Sequence, residues 1–293
     1  MKLLFIYNPR AGKAKIRNNL LDIIDIFTKA GFIVTAHPTQ APGDARNVVS
    51  RLKANAYDLI VCSGGDGTLD EVVSGIMLKK LRIPLGYIPA GTMNDFARNL
   101  RIPSNMLVAA ERICQKNLFA CDIGVFNDAN FVYIAAFGLF TDVSYETRQD
   151  IKNMIGNMAY ILEGMRRLPD IKVSRMRVET EGIDIEDDFL FGMITNSVSV
   201  GGFKHITGKR IKLDDGLFEV TLVKKPKNPI ELNNLIAALL TRNFSADCMY
   251  WFKTSHLKIT AAEETAWTLD GEFGGLHIDV TIKNMEKALN IIC

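Results

Sequence analysis

The sequence feature that most limits the fold is a glycine-rich turn at residues 62–70, CSGGDGTLD. A short apolar run at residues 58–61 precedes it, and a helical pattern follows with apolar residues on one face: Leu69, Val72, Val73 and Ile76. This order predicts a strand, a turn and a helix. Glycines let backbone N–H groups approach an oxyanion, and the N-terminus of the helix adds a partial positive charge. The turn is therefore typical of a phosphate-binding site.

An acidic residue, Asp66, lies inside this turn. A carboxylate would repel a phosphate unless it served a metal ion or oriented a neighbouring group. Asp66 therefore favours chemistry on a Mg²⁺-bound nucleotide over simple anion binding. The alternative interpretation is an ordinary glycine-rich turn between strand and helix, capped by Thr68.

Residues 2–116 alternate between strand and helix patterns. Strands are predicted at residues 3–6, 32–36, 59–62 and 84–88, and helices between and after them. This order predicts an α/β domain with a parallel sheet, helices on both faces and ligands at the carboxyl ends of the strands.

Three turns follow the predicted strands of this domain, at residues 8–13 (NPRAGK), 64–68 (GGDGT) and 89–95 (PAGTMND). Each combines small residues with hydroxyl, amide or charged groups, as a polyphosphate site requires. Helix capping explains each turn singly, but it does not require a lysine, an arginine and two aspartates at one sheet edge. Lys13 is the expected counter-ion for phosphate, and the alternative is a solvated lysine at a helix start.

Composition limits the remaining classes. The chain of 293 residues has 48% hydrophobic and 23% charged residues and a net charge of +2, which is too small to suggest a nucleic-acid partner. Five cysteines without a C-x-x-C pair indicate a reducing compartment, no disulfides and no zinc site. The first apolar run is too short for a signal peptide, and no window reaches the roughly 18–20 apolar residues of a membrane span. We expect a soluble, cytoplasmic protein that touches a membrane only at its surface.

The pattern changes at Asp122, where short and often alternating apolar runs begin. They predict a mostly antiparallel β domain, with helices near residues 143–167 and 229–240. The apolar runs lie at residues 131–137, 172–179, 189–194, 217–223, 255–260 and 277–282. The domains are therefore placed at residues 1–122 and 123–293. Whether residues 287–293 return to the first domain as an extra strand is left open.

Two acidic segments of the second domain are candidates for chemistry. Asp214-Asp215-Gly216 fits a hairpin turn, and it equally fits a site for a hard cation such as Mg²⁺ or Ca²⁺. Glu272 follows a predicted tight turn at Asp270-Gly271. It is either a base that takes a proton from a substrate hydroxyl or an exposed acid at a hairpin tip.

Five motifs in order along nearly the whole chain resemble the diacylglycerol kinase catalytic-domain family, and within it the soluble bacterial lipid kinases. They are NPRAG at residues 8–12, GGDGTLDE at 64–71, GTMNDFAR at 91–98, DDG at 214–216 and LDGE at 269–272. The GGDGT motif alone is shared with NAD kinases and 6-phosphofructokinases. The GTMNDFAR motif makes the resemblance specific.

The resemblance implies an α/β nucleotide domain and a C-terminal β-sandwich, with the active site in the cleft between them. The residues it implies for ATP contact are Asn8, Pro9, Arg10, Ala11, Gly12, Thr39, Gly64, Gly65, Asp66, Gly67, Thr68, Leu69, Asp70 and Thr92. Asp66 would serve the Mg²⁺ of the nucleotide, and Lys13 matches a position where related enzymes often carry a lysine. Asp70 departs from the asparagine of many relatives and adds charge near the phosphates.

The resemblance also implies residues for a structural Mg²⁺ and for proton transfer. Asp215 would bind the ion together with the backbone carbonyls of Lys212 and Leu217, and Asp122 would join it through water. Glu272 would be the general base.

These residues predict a kinase that uses ATP and Mg²⁺ to phosphorylate a lipid hydroxyl, by default that of diacylglycerol. The alternatives are phosphorylation of a soluble acceptor, as in NAD kinases, and a non-catalytic module that senses nucleotide or lipid. A lipid substrate favours an apolar cleft with a basic rim at the inner face of a membrane, and a mixed solvated surface is the alternative to that rim. The candidates for the rim are Arg166, Arg167, Lys172, Arg175, Arg177, Lys204, Lys209 and Arg210. The sequence does not fix the oligomeric state, and a homodimer is among the states that it allows.

Overall fold

The computed structural model describes residues 1–92, 94–138, 173–197, 199–200, 203–204, 211–241 and 248–293. The chain divides into an N-terminal unit, Met1–Asp122 with Lys287–Cys293, and a C-terminal unit, Ile123–Glu286. The predicted helix at residues 143–167 lies outside the described residues.

Strands and helices alternate through the N-terminal unit. Its strands are β1 (Lys2–Tyr7), β2 (Ile33–Pro38), β3 (Leu59–Gly64) and β4 (Leu85–Pro89). Its helices are α1 (Ala11–Ala14), α2 (Ile16–Lys29), α3 (Asp44–Ser50), α4 (Asp66–Lys79), α5 (Asp95–Asn99) and α6 (Met106–Cys114). The predicted helix after the glycine-rich turn is confirmed, because α4 buries Leu69, Val72, Val73 and Ile76.

The strands of this unit pair in parallel. β1 lies between β2 and β3, and β4 pairs with β3 on the other side. The last residues of the chain add one more parallel strand, since Ile291 lies opposite Leu85. β3 and β4 are fully buried, which explains why they read as continuous apolar runs.

Helix packing in the N-terminal unit depends on the same apolar periodicity. α2 packs against α6, and α3 packs against α4. Gly75 of α4 makes the second contact possible, because a Cβ atom there would lie 2.7 Å from Val49 Cβ. A larger residue would force the two helices apart.

The C-terminal unit is built mainly from antiparallel strands. They are β5 (Leu118–Phe126, which begins in the N-terminal unit), β6 (Ala129–Phe131), β7 (Ile134–Gly138), β8 (Ser174–Thr180), β9 (Ile183–Thr195), β10 (Ser199–Val200), β11 (Phe203–Lys204), β12 (Phe218–Lys224), β13 (Met249–Thr254), β14 (His256–Leu269) and β15 (Glu272–Ile292, which ends in the N-terminal unit). One helix among the described residues, α7 (Pro229–Thr241), follows β12. The predicted β-rich second half is confirmed.

The core of the C-terminal unit is a cluster of buried aromatic and aliphatic side chains from several strands. Phe137 and Phe126 pack around Trp267 with ring centroids 4.9 Å from its ring, and all three side chains are at most 1% exposed. Alternate residues of β12 join this core, namely Phe218, Val220 and Leu222. This alternation is what period-two strands require.

Three predictions for the C-terminal unit were wrong in detail. Residues 131–137 are not one strand, because the chain bends at Val132-Tyr133 between β6 and β7. β5 and β13 were not predicted. The hairpin interpretation of Asp214-Asp215-Gly216 is wrong, because residues 211–217 contain no strand and β12 pairs with β9 and β13.

Within the residues that the structure describes, no helix has the length and apolar composition of a membrane span.

A buried ion pair joins two strands of the C-terminal unit. Glu219 of β12 is 0% exposed, and Lys253, directly opposite on β13, places Nζ 2.8 Å from its carboxylate. Burial raises the pKa of Glu219 from its ordinary value of 4.5 to about 7, although Lys253 opposes the shift. Removing the lysine alone would leave a buried carboxylate without its counter-ion.

We expect Lys253→Met to destabilise the protein by about 3–5 kcal/mol at pH 8. A carboxyl whose pKa is raised by folding stabilises most below its unfolded value and loses that contribution as pH rises through the folded value. The loss should therefore be smaller at pH 5, where Glu219 binds a proton. Chemical denaturation at both pH values measures it, and the double variant Glu219→Gln/Lys253→Met should recover most of the stability. Equal losses at both pH values would contradict this account.

Candidate functional site

The carboxyl ends of β1, β3 and β4 are aligned in the N-terminal unit. Tyr7 lies opposite Ser63, and Ser63 lies opposite Ile88. The three predicted turns leave the sheet at these positions and are called loop 1 (residues 8–14), loop 2 (64–68) and loop 3 (89–95, of which Met93 lies outside the described residues). Register therefore places the predicted phosphate-binding turns at one edge.

Loops 1 and 2 are joined through Asn8. Its backbone N–H donates to the Ser63 carbonyl at 2.8 Å, and its side-chain amide donates to Thr68 Oγ1 at 3.4 Å. The predicted cap by Thr68 is wrong, because α4 has Gly65 at its N-cap and no side-chain cap bond. A Cβ atom on Gly64 would lie 2.5 Å from Thr68 Cβ, so glycine allows the hydroxyl to turn toward loop 1.

Loops 1 and 3 touch through backbone atoms. A Cβ atom at Gly12 would lie 1.6 Å from the Ala90 carbonyl oxygen, so no other residue fits there. Gly12, Lys13 and Ala14 all have left-handed backbone conformations, with φ of 53°, 64° and 59°, so the short segment α1 is not a regular right-handed helix. For Lys13 and Ala14 this conformation is strained. Loop 1 is therefore wound tightly against loop 3.

Loops 2 and 3 are joined at glycines as well. The Ala90 N–H donates to the Gly64 carbonyl at 2.8 Å, and a Cβ atom at Gly91 would lie 2.7 Å from Gly65 Cα. Tyr87 O–H also donates to the Gly64 carbonyl, at 3.1 Å. Burial and the nearby Asp66 carboxylate raise the pKa of Tyr87 well above its usual value, so this hydroxyl stays a donor.

Asp66, predicted to serve a nucleotide-bound metal ion, is nearly buried at the start of α4. Its side chain is 4% exposed, and Oδ2 accepts a hydrogen bond from the Asn94 N–H at 3.1 Å. Asn94 has φ 50° and closes loop 3 on itself, since its side chain accepts from the Gly91 N–H and donates to the Gly91 carbonyl. Asp66 therefore orients loop 3.

The predicted cations of loop 1, Lys13 and Arg10, are both exposed. Both lie on loop 1, which is next to the glycine backbone of loop 3 and the start of α4. A helix N-terminus and exposed basic side chains together make a favourable environment for a polyphosphate.

A fourth segment reaches this region through Thr39, which follows β2 and donates its N–H to the Tyr7 carbonyl at 2.9 Å. Glu71 of α4 holds the next residues, because its carboxylate accepts from the Gly43 N–H at 2.7 Å and the Ala45 N–H at 3.1 Å. One helix thus carries both the glycine-rich turn and the clamp for the segment that contains Thr39.

Asp122, predicted to join a structural metal ion, is 1% exposed in the N-terminal unit. Its Oδ1 accepts from the backbone N–H of Lys287 at 2.7 Å. Asp122 therefore fixes the last segment of the chain within this unit.

The predicted cation ligand Asp215 lies in a bend of the C-terminal unit. Its Oδ1 accepts from the Leu217 N–H at 3.3 Å, and Lys253 Nζ lies 3.6 Å from its Oδ2. Among the described residues there is no cluster of three or more His, Cys, Asp or Glu side chains suited to a metal ion. An ion here would thus need backbone carbonyls as ligands, as predicted for Lys212 and Leu217, and it would compete with Lys253 for Asp215.

The predicted tight turn before Glu272 is confirmed in the C-terminal unit. Leu269 lies opposite Glu272, and Asp270 and Gly271 between them have φ of 50° and 81°. Two positive φ values identify a type I′ hairpin turn. Glu272 itself is partly buried, so it is not a fully exposed hairpin-tip acid.

Two residues of the predicted basic rim can be described. Arg175 contacts Glu186 at 3.0 Å, and Arg177 contacts Asp184 at 2.6 Å. At these two positions the surface carries mixed charge. Arg166, Arg167, Lys172, Lys209 and Arg210 lie outside the described residues, as does the side chain of Lys204.

Three residues with clear positioning contacts were not assigned a role from the sequence: Glu71, Asn94 and Asp270. Each stands inside a quoted motif, within two positions of a residue that was assigned a role. Their positions within the motifs were the sequence signal that could have identified them. Their partners were not predictable from local sequence, because they lie 26 to 138 residues away along the chain.

Comparison with protein families supports this two-part organisation. Residues 2–126 match the family described as diacylglycerol kinase catalytic domain. Residues 136–293 match the family described as YegS C-terminal NAD kinase beta sandwich-like domain.

Similar proteins cover nearly the whole chain. A diacylglycerol kinase of Bacillus subtilis (strain 168) is 33% identical over 92% of this chain and 89% of its own length. One of Staphylococcus saprophyticus is 34% identical over 98% of this chain and 97% of its own length. The crystal structure of a diacylglycerol kinase from Bacillus anthracis str. Sterne has a TM-score of 0.82 and 28% identity, covering 99% of this chain and 96% of that one.

We expect Gly12→Ala to weaken nucleotide binding at least tenfold, because the new Cβ cannot fit beside the Ala90 carbonyl and the loops must separate. Titration with a fluorescent ATP analogue measures the change. Gly31→Ala is the matched control, since Gly31 also has a positive φ, 85°, but no atom within 4 Å of its Cβ position. The control shares the backbone strain of about 1 kcal/mol and should bind normally. Equal affinities in both variants would contradict the contact argument.

Proposed function

The chain belongs to the diacylglycerol kinase catalytic-domain family, and we propose that this lipid kinase transfers the γ-phosphoryl group of ATP to the hydroxyl of diacylglycerol. The observation that carries the proposal is the contact of three glycine-containing loops, which the sequence predicts to bind phosphate, at the carboxyl ends of parallel strands. Parallel sheets of this kind bind ligands at that edge. The names of the similar proteins favour a lipid acceptor over NAD.

ATP binds to loops 1, 2 and 3 in this proposal. The predicted contacts are Asn8–Gly12, Thr39, Gly64–Asp70 and Thr92, with Lys13 as the mobile cation for the phosphates. Phosphoryl transfer asks a protein mainly to position the reactants and to neutralise charge. The tight glycine contacts and the exposed cations of loop 1 support this role.

Glu272 is the proposed general base, which accepts the proton of the acceptor hydroxyl as it attacks the γ-phosphorus. Its place directly after a rigid type I′ turn supports the assignment, because a base must be held in position to act. The proton moves to the Glu272 carboxylate, and the bond between the γ-phosphorus and the bridging oxygen breaks to release ADP.

We propose Mg²⁺ as the metal ion, with Asp66 serving the nucleotide-bound ion and Asp215 a structural one. Hard oxygen ligands fit Mg²⁺, and Asp215 offers a carboxylate whose side chain is 23% exposed. Lys212 and Leu217 would add backbone carbonyls. When bound, such an ion neutralises negative charge beside the phosphates or fixes the bend around Asp215.

A lipid acceptor requires contact with a bilayer surface, and we propose that the protein makes it peripherally at the cytoplasmic face. Diacylglycerol is a bilayer lipid, so in this proposal the acceptor is taken up from the membrane surface. Basic residues near the surface contribute about 1 kcal/mol each when the lipid is anionic. Sedimentation with vesicles of increasing phosphatidylglycerol content tests this contact, and binding that ignores anionic lipid would argue against a basic rim.

Incubation with γ-labelled ATP, Mg²⁺ and separate acceptors should transfer label to diacylglycerol in mixed micelles. Other lipid alcohols and NAD are offered in parallel. Label in NADP would overturn the lipid assignment. Label in no product, despite ATP binding, would favour a non-catalytic module.

We expect Glu272→Gln to bind ATP with unchanged affinity and to lose about 10²- to 10⁴-fold in kcat, because the amide cannot accept the proton. Initial rates of labelled product and ATP titration measure both quantities. Glu263→Gln is the matched control, since Glu263 is an exposed acid on β14. Near-normal turnover in Glu272→Gln would remove this residue from the role of base.

We expect Mg²⁺ to raise the thermal midpoint of the wild type and not that of Asp215→Asn, because binding to the native state alone adds stability. Scanning calorimetry with and without Mg²⁺, in the absence of nucleotide, measures the shift. Asp214→Asn, the neighbouring acid, should keep the effect. A normal Mg²⁺ shift in Asp215→Asn would show that the ion binds elsewhere.

A further inference from the structure

The turn before Glu272 is fixed by a buried carboxylate whose role the reaction scheme leaves unexplained. Asp270 is 3% exposed. Its Oδ2 accepts from the Val132 N–H at 2.5 Å, and its Oδ1 accepts from the N–H groups of Tyr133 and Ile134 at 2.9 and 3.0 Å. Three backbone donors thus satisfy one buried charge.

The same segment also holds the backbone of the turn. The Asp270 N–H donates to the Ile134 carbonyl at 2.9 Å, and Tyr133 O–H donates to the Asp270 carbonyl at 3.1 Å. All of these donors and acceptors belong to the bend between β6 and β7 and to the first residue of β7. Because the chain bends here, three successive N–H groups donate to one carboxylate and not to a neighbouring strand.

A two-residue hairpin turn does not need these bonds. Asp-Gly with positive φ at both positions forms a type I′ turn from local preference alone. The tip of such a hairpin is usually exposed to solvent and mobile. Here Asp270 is buried and bonded to the bend before β7 and to the first residue of β7, and this arrangement fixes the direction of the chain two residues later, at Glu272.

We propose that Asp270 is a positioning residue that holds Glu272 in the geometry required for proton transfer. The proposal rests on the proposed function of Glu272 as general base. Asp270 touches neither substrate nor nucleotide in this scheme and acts through the turn. A displacement of about 1 Å in a catalytic group can cost about 100-fold in rate, so such an anchor matters for turnover.

Asp270→Asn is the test, because the amide has the same shape but turns an NH₂ group toward N–H donors and loses at least one bond. We expect kcat to fall roughly 10- to 100-fold while the KM for ATP is unchanged. In a Glu272→Gln background the same change should reduce kcat no further, because a residue that acts through the base has no effect once the base is gone. A general structural defect would instead multiply the two losses.

Two controls separate positioning from instability. Ile259→Val removes one methylene group from the core on β14, the strand that leads into the turn. It should lower the thermal midpoint and leave kcat normal. Asp279→Asn changes an acid of β15 whose carboxylate bonds only to the Thr260 hydroxyl among the described contacts, and it should be neutral. Amide hydrogen exchange at residues 131–135 and 269–273 should rise in Asp270→Asn and in neither control.

The outcomes are distinct. Normal kcat in Asp270→Asn beside an inactive Glu272→Gln, or unchanged exchange at both segments, overturns the inference. Multiplied losses in the double variant overturn it as well. A wild type that phosphorylates no lipid, or an active Glu272→Gln, refutes the proposed function instead, and hydrogen exchange still reports whether Asp270 anchors the turn.

Discussion

The site of the N-terminal unit depends on glycines that let three loops touch backbone to backbone. Gly12 meets the Ala90 carbonyl, Gly91 meets Gly65, and Gly64 makes room for Thr68. The parallel register brings the strand ends together, but any side chain at these contacts would separate the loops. The burial of Asp66 and the closure of loop 3 by Asn94 both follow from that approach.

Backbone N–H groups bind several of the carboxylates that the fold must hold. Asn94 donates to Asp66, and residues 132–134 donate to Asp270. Hydrogen bonds from backbone N–H groups favour the charged form of a carboxylate and fix its orientation. In the N-terminal unit, Lys13 and Arg10 are exposed at the loops, where an anionic ligand would need them. Glu219 is the contrasting case, because it lies opposite Lys253 inside the C-terminal unit.

Local patterns predicted the features whose causes are local. The helix after the glycine-rich turn and the turn at Asp270-Gly271 follow from periodicity and backbone preference within a few residues. The bend at Val132-Tyr133 and the strand β13 do not, because the first depends on a carboxylate 138 residues away and the second on pairing with β12. The contacts of Glu71 could not be predicted either. The sequence shows that this acid ends a motif, but it does not show which groups its carboxylate binds.

The two Asp-Gly pairs of the C-terminal unit show how much of a residue's role a short motif can predict. Gly216 and Gly271 have similar positive φ values, 72° and 81°, so the local preference acts in both. Only the second pair joins paired strands, because Leu269 lies opposite Glu272 whereas residues 211–217 contain no strand. Asp270 is then buried against backbone donors, and Asp215 remains partly exposed beside Lys253. Contacts with distant residues therefore give Asp270 a structural role and leave Asp215 accessible to a cation. The Asp-Gly dipeptide does not specify those contacts.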